Sequence, residues 1–280
     1  MEKVSHSPPE AAADGGLHRW AISMASEEER ERLVEILAEM MGSAFSLEKN
    51  QELFLLCLIE AVNNAAEHGN RNRPDGKVEL ELLLLDGLAG ATVLDQGPGF
   101  TPFIPDLKTV RGNRGRGLGF IQQFCQTMFF NLAGNRITFF KGGTPMILKL
   151  THATASVSLL PADTVVVSDF QVKSDVYNAV SELFDELDKT PWKAVYLNFK
   201  EVKLLNSSAW GTLFAESDRV STEQIILFNT GEALWAAADA MGLTNPQGRF
   251  ANIRVVGSDN DVWRLLVDRL SNAQDTGRSR

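Results

Sequence analysis

Between residues 46 and 68 the apolar positions recur at helical spacing. Leu53, Leu56, Ile59 and Ala61 fall on one stripe behind Ser46, a candidate N-cap. Ahead of this segment His18 to Met24 alternates as a strand does, and Ser26 with Glu29 has capping-box spacing for a helix running to about Met41. Two strands are predicted next, Lys77 to Leu85 and Ala91 to Leu94, the run Leu82 to Leu85 reading as buried. Periodicity then lapses from Asp95 to Gly119, where six glycines and three prolines gather. A loop of that length inside a folded domain is usually functional or disordered. A helix is predicted from Leu118 to Met128, and Ile137 to Phe140 pairs with Met146 to Leu150 as a hairpin across Lys141-Gly142-Gly143-Thr144.

From about Thr151 the pattern restarts in a different grammar. Predicted strands at Ser156–Leu160, Thr164–Ser168, Ala194–Phe199, Gln224–Phe228 and Ile253–Val256 alternate with helices at Ser174–Asp188, Ser207–Asp218, Glu232–Met241 and Asp259–Leu270. Short alternation of this kind indicates an α/β sheet with helices packed on it. The reading is therefore α/β throughout, in two domains: 18–150 and 151–271, with a leader over 1–17 and a frayed tail over 272–280.

Composition narrows the classes. The 280 residues are 44% hydrophobic and 22% charged, ordinary for a globular protein with two cores. No apolar stretch approaches the ~20 residues that span a bilayer, and residues 1–17 lack the apolar core of a signal peptide. Cys57 and Cys125 both sit in apolar helical contexts and read as buried free thiols, which fits a cytoplasmic protein. The net charge of −9 argues against a nucleic-acid surface. The local basic cluster of Arg111, Arg114 and Arg116 lies in a glycine-rich loop, which points to phosphate on a small ligand.

Three motifs carry candidate chemistry. In Glu60-Ala61-Val62-Asn63-Asn64-Ala65-Ala66-Glu67-His68-Gly69, Glu60 and Asn64 stack one turn apart on one helix face, with His68 continuing the row. An amide oxygen suits Mg²⁺, and a carboxylate a turn away can take the proton of an attacking hydroxyl. Alone, the row also reads as a polar stripe facing solvent. Asp95-Gln96-Gly97-Pro98-Gly99-Phe100 follows an apolar strand; its carboxylate can accept a hydrogen bond from an exocyclic amine, though such a run is also a common turn. Gly112-Asn113-Arg114-Gly115-Arg116-Gly117-Leu118-Gly119 leads into a helix, where backbone N–H groups and the dipole favour phosphate, or else it is a plain surface loop.

Together, in this order and spacing, the three motifs resemble the nucleotide-binding boxes of the GHKL ATPase superfamily, which includes gyrase and the histidine kinases. The compact Glu60–Gly69 form is most similar to the serine kinases that act as anti-sigma factors in bacterial partner switching. The resemblance implies a two-layer α/β sandwich (the Bergerat fold) that binds ATP and Mg²⁺. It implies Glu60 as catalytic base and Asn64 as Mg²⁺ ligand. Asp95 would sit on the adenine amine with Gly97 and Gly99 shaping the pocket, and Gly115, Gly117, Leu118 and Gly119 would form the lid and phosphate-binding helix start. Arg114 and Arg116 are further candidates, near the γ-phosphate. A histidine kinase needs a phosphoacceptor histidine on a helical hairpin ahead of the ATPase domain; here only His6 and His18 precede it.

In the second half, Val195 to Phe199, Val202 to Leu205 and Asn206-Ser207-Ser208-Ala209-Trp210-Gly211 form a strand, a connection and a helix start that resemble the STAS domain of anti-anti-sigma factors. By position Ser207 is the phosphoacceptor candidate, although serine is also favoured there simply as a cap. Asn206, Ala209 and Trp210 depart from the Asp, Gly and Leu of that family. The resemblance implies an ATP-dependent serine kinase acting on a STAS-domain protein, in trans or on its own Ser207. A sigma factor as a second partner, a homodimer, and no contact with nucleic acid or membrane are further expectations. The alternative is a non-catalytic, ATP-gated binding module whose second half sequesters or releases a partner.

Overall fold

The computed structural model describes residues 17–23, 32–38, 48–71, 73, 75–101, 117–219, 221–245, 247, 250, 252–257 and 259–278. The chain begins with β1 (Leu17–Ser23), a short helix α1 (32–38) and α2 (Glu48–Asn64), which widens into a single π-type turn over Ala65–Gly69. Then come β2 (Lys77–Leu85), β3 (Leu88–Asp95), α3 (Gly117–Phe124), β4 (Thr127–Phe130) and β5 (Arg136–Lys141). The first sheet has the antiparallel order β1-β2-β3-β5-β4. One of its faces packs on α1, α2 and α3 through Leu37, Phe54, Leu58, Ile121, Leu80, Leu82 and Phe139. This is a two-layer sandwich, and the burial of β2 shows its logic: Val78, Leu80, Leu82 and Leu84 point at the helices, as period-2 alternation requires.

The predicted helix over Leu118–Met128 ends instead at Phe124, and Thr127–Phe130 is a strand. Thr-Met-Phe-Phe continues the apolar run of the helix, but a β-branched residue and two aromatics suit a pleated edge better. The predicted hairpin is also corrected. Strand β6 (Thr144–Lys149) does not pair with β5; Gly142, at φ +115, turns the chain away and β6 pairs with β7 (Ala153–Leu160).

The second sheet has the order β11-β10-β9-β8-β7-β6. Its remaining elements are β8 (Thr164–Val172), α4 (Val176–Leu187), β9 (Ala194–Asn198), α5 (Ser207–Ser217), β10 (Gln224–Phe228), α6 (Glu232–Ala240), β11 (Ile253–Val255) and α7 (Asp259–Arg278). Strands β8 to β11 run parallel, with α4, α5 and α6 packed on one face. Helix α7 continues to Arg278, past the Leu270 end that the periodicity gives.

The two sheets share a core. Leu83, Leu85, Leu88, Phe129 and Phe140 on the back of the first sheet pack with Tyr196, Ile226 and Phe228 of the second and with Val262, Trp263 and Leu266 of α7. Trp263 lies with its ring centroid 5.6 Å from that of Phe140, and its Nε1 donates to the Glu81 carboxylate at 2.6 Å. That is why β2 changes from Glu79 and Glu81 to Leu83 and Leu85 on its second face. Among the described residues no helix is long and apolar enough to cross a membrane. Cys57 and Cys125 are buried free thiols; hydrogen bonding between them, followed by burial, pushes the Cys125 thiol up and leaves it unreactive.

Candidate functional site

A cavity of about 610 Å³ opens between the end of α2, the end of β3, the start of α3 and the turn joining β4 to β5. Asn64, His68, Asp95, Gly99, Gly117 and Leu118 line it together. Glu60 and Asn64, one turn apart, both reach toward Gly117; His68, exposed in the π-type turn that follows, lines the cavity with Asn64. Wide turns of this sort inside helices recur at functional sites.

Close backbone approaches fix the shape. A Cβ on Gly117 would sit 2.6 Å from Glu60 Oε2 and 2.8 Å from Asn64 Nδ2, so both side chains converge on the first residue of α3. A Cβ on Gly97 would overlap the carbonyl oxygen of Gly69, so the end of β3 can lie against the end of α2 only with glycine there. Gly99 has φ +76 and would overlap the Ala133 carbonyl, so both conformation and space exclude a side chain.

The polar groups divide into held and unheld. Asp95 is 6% exposed, and its Oδ1 accepts from the Gly97 amide at 2.7 Å. Burial pushes its carboxyl above the ordinary aspartate range, while the Gly97 hydrogen bond opposes that. The Asn64 Nδ2 is buried with no acceptor among the described residues. A buried amide left open in this way usually serves something bound. The Asp95 backbone is tied to the β4–β5 turn: its N–H donates to Asn135 O at 2.9 Å, and Asn135 Nδ2 donates to Asp95 O at 3.2 Å.

That turn was missed in the sequence. Phe130, Gly134, Asn135 and Arg136 line the cavity together with Arg71 and Phe100. The run Asn131-Leu132-Ala133-Gly134-Asn135 between two apolar segments was the available signal, because such residues build tight turns through their own side chains. Leu118 lines the cavity and Gly119 is buried in α3. Arg114, Gly115 and Arg116 lie outside the described residues.

Residues 20–141 match the family model described as histidine kinase-like ATPase domain. The first half of the chain carries a GHKL-type ATPase domain. Searched against curated proteins, the chain finds no match. The domain's match ends at Lys141, where β5 ends and the chain crosses to the second sheet. Domains of this type bind ATP, and the cavity holds groups suited to that: backbone at Gly69, Gly99 and Gly117, the buried Asp95 carboxylate, and a helix start approached by Asn64 and Glu60.

Ser207 lies apart from this cavity. It is exposed at the first position of α5, and the cap is its neighbour: Asn206 Oδ1 accepts from the Ala209 amide at 2.8 Å. Ala209 and Trp210 belong to the core, Trp210 with its ring centroid 6.1 Å from that of Phe214. A larger cavity, about 820 Å³, lies between α7 and the loops at Asp86 and Ala162. Its two cations are spoken for: Arg269 donates to Glu223, to Thr164 Oγ1 and to the Ala162 carbonyl, and Lys193 lies 3.7 Å from the Glu223 carboxylate and 3.9 Å from that of Asp163.

Proposed function

We propose that the chain is an ATP-dependent protein serine kinase of the partner-switching type, whose acceptor is a serine of a STAS-domain protein. The observation that carries this is the convergence of the Glu60 carboxylate and the Asn64 amide on Gly117; Asn64 and Gly117 line the same cavity as the buried Asp95, and Glu60 stands just behind that lining. Asp95, which lines the cavity, would accept from the exocyclic amine of adenine. Asn64 lines the cavity and would supply its amide oxygen as a Mg²⁺ ligand. The bound Mg²⁺ would neutralise charge on the phosphates. Glu60 would take the proton of the attacking serine hydroxyl as the new P–O bond forms and the bond to ADP breaks.

For the second half, the alternation of parallel strands and helices up to an exposed Ser207 supports the STAS-like reading, with Ser207 as an acceptor in cis or in a neighbouring copy. A sigma factor is the proposed second partner, a homodimer the proposed assembly and the cytoplasm the proposed location. The second reading, an ATP-gated binding module, draws on Ser207 being absent from the cavity lining and on Asn206 being committed to a cap.

The test is intact-mass spectrometry of the full chain after incubation with Mg-ATP, beside Glu60→Ala and Ser207→Ala. One added phosphate, absent from both variants, supports a kinase acting on its own second domain. No added phosphate, with none on any STAS-type protein supplied in trans, overturns the kinase and leaves the binding module.

A further inference from the structure

We infer that the second half of the chain completes the nucleotide pocket, with Asn229 acting as a positioning residue for its Phe130–Asn135 wall. This rests on the nucleotide reading of the cavity.

Strand β4 is the free edge of the first sheet, and its outward carbonyls need partners from elsewhere. The second half provides them. Ser158 Oγ donates to the Gln126 carbonyl at 2.8 Å, and Asn229 Nδ2 donates to the Phe130 carbonyl at 2.7 Å. Asn229 follows β10, is 3% exposed and has φ +55, a conformation that asparagine tolerates better than most residues. Its Nδ2 also donates to Asn198 Oδ1 at 3.1 Å, and Asn198 Nδ2 donates to Ser168 O at 2.8 Å. Asn229 Oδ1 is buried without a partner among the described residues, whereas its Nδ2 donates twice, so the contact is made through the donors. The rings of Phe129 and Phe228, 5.0 Å apart, flank the contact.

From Phe130 the connection runs into the pocket. The Phe130 ring lines the cavity and meets Phe100 edge-on at 6.0 Å. The next residue, Asn131, organises the turn: its Oδ1 accepts from Gly134 N at 2.8 Å and Arg136 N at 3.1 Å, and its Nδ2 donates to Asn135 Oδ1 at 2.8 Å. Asn135 then holds the Asp95 backbone on both sides. Hydrogen bonds joined through the Phe130–Asn131 backbone therefore link the second sheet to the residue proposed to meet adenine. Without the Asn229 donors the Phe130 carbonyl is left buried and unpaired, and ATP must order a wall that is now pre-set. Because binding couplings are reciprocal, bound ATP would equally steady the Asn198–Asn229 end of the second sheet.

The experiment titrates Mg-ATP calorimetrically into the full chain, Asn229→Asp, Asn229→Gly and Asp95→Asn, each well below its melting midpoint. Asn229→Asp keeps the shape but turns oxygens toward two oxygens; Asn229→Gly removes the side chain and suits the positive φ, so it decides if the first variant does not fold. The expected result is ATP affinity weakened about tenfold in each folded Asn229 variant, with faster amide hydrogen exchange over residues 131–136. Affinity within about twofold of the unmodified chain, even with a lowered melting point, makes Asn229 merely structural and overturns the proposal. Absence of ATP binding by the unmodified chain removes the nucleotide reading itself, and the proposal with it. Binding there that Asp95→Asn abolishes keeps the reading standing whatever Asn229 does.

Discussion

The starts of α3 and α5 are both helix N-termini that the sequence marks for phosphate, yet they are built oppositely. At Gly117 two side chains from another helix close in, and one of them, the Asn64 amide, has no acceptor for its Nδ2 among the described residues. At Ser207 the local demand is met from within: Asn206 caps the helix, and Ala209 and Trp210 anchor it in the core. The first arrangement is incomplete without a ligand, and the second is complete without one. A helix start is thus informative about binding only when the groups around it are left over after folding.

The largest effect expected from this difference is at Gly97. Gly97→Ala sets a Cβ against the Gly69 backbone carbonyl, which cannot swing aside. Overpacking of this kind costs about 1–3 kcal/mol, and thermal unfolding with ATP titration should show lower stability together with lost binding.

Next is Asp95→Asn, which separates stability from function. Burial raises the folded-state pKa above the unfolded value, so the fold is favoured by the protonated carboxyl. Stability linked to Asp95 is therefore fullest below the ordinary aspartate pKa and is lost as pH rises through the raised value. Asp95→Asn should melt higher than the ligand-free parent at neutral pH, with the gap closing as the solution is acidified, while ATP binding falls. A parent that melts higher than the variant at neutral pH contradicts this account of the site.

Smaller still is Asn206→Ala, which removes a cap and should cost about 1 kcal/mol in chemical denaturation, as N-caps usually do. ATP binding should be untouched. Ser207→Ala, at an exposed position, should change stability by less than about 0.5 kcal/mol. A larger loss there would mean that the serine, and not Asn206, holds the helix, and the contrast between the two helix starts would blur.

Much of the site was legible because its signals are local. Glu60 with Asn64, and Asp95 with Gly97 and Gly99, depend on helical repeat and tight turns, and the structure brings Asn64, Asp95 and Gly99 to one cavity with Gly117. Strand β2 was read to the residue for the same reason. What escaped depends on distant packing. Strand β4 was absorbed into the helix before it because Thr127–Phe130 is simply more apolar sequence until an edge is there to pair it. Strand β6 has the turn chemistry of a hairpin, but its partner is decided by the shared core between sheets. The contribution of Asn229 spans ninety-nine positions of chain to Phe130, and no spacing rule reaches that far.

The central claim, that the first half holds ATP through Asp95 and Mg²⁺ through Asn64, is tested most directly by calorimetric titration of ATP into the full chain. The titration is run with and without Mg²⁺, beside Asp95→Asn and Asn64→Ala. The account predicts saturable binding that Mg²⁺ strengthens, that Asp95→Asn abolishes and that loses its Mg²⁺ dependence in Asn64→Ala. No saturable binding by the folded chain, or binding undiminished in Asp95→Asn, would contradict it.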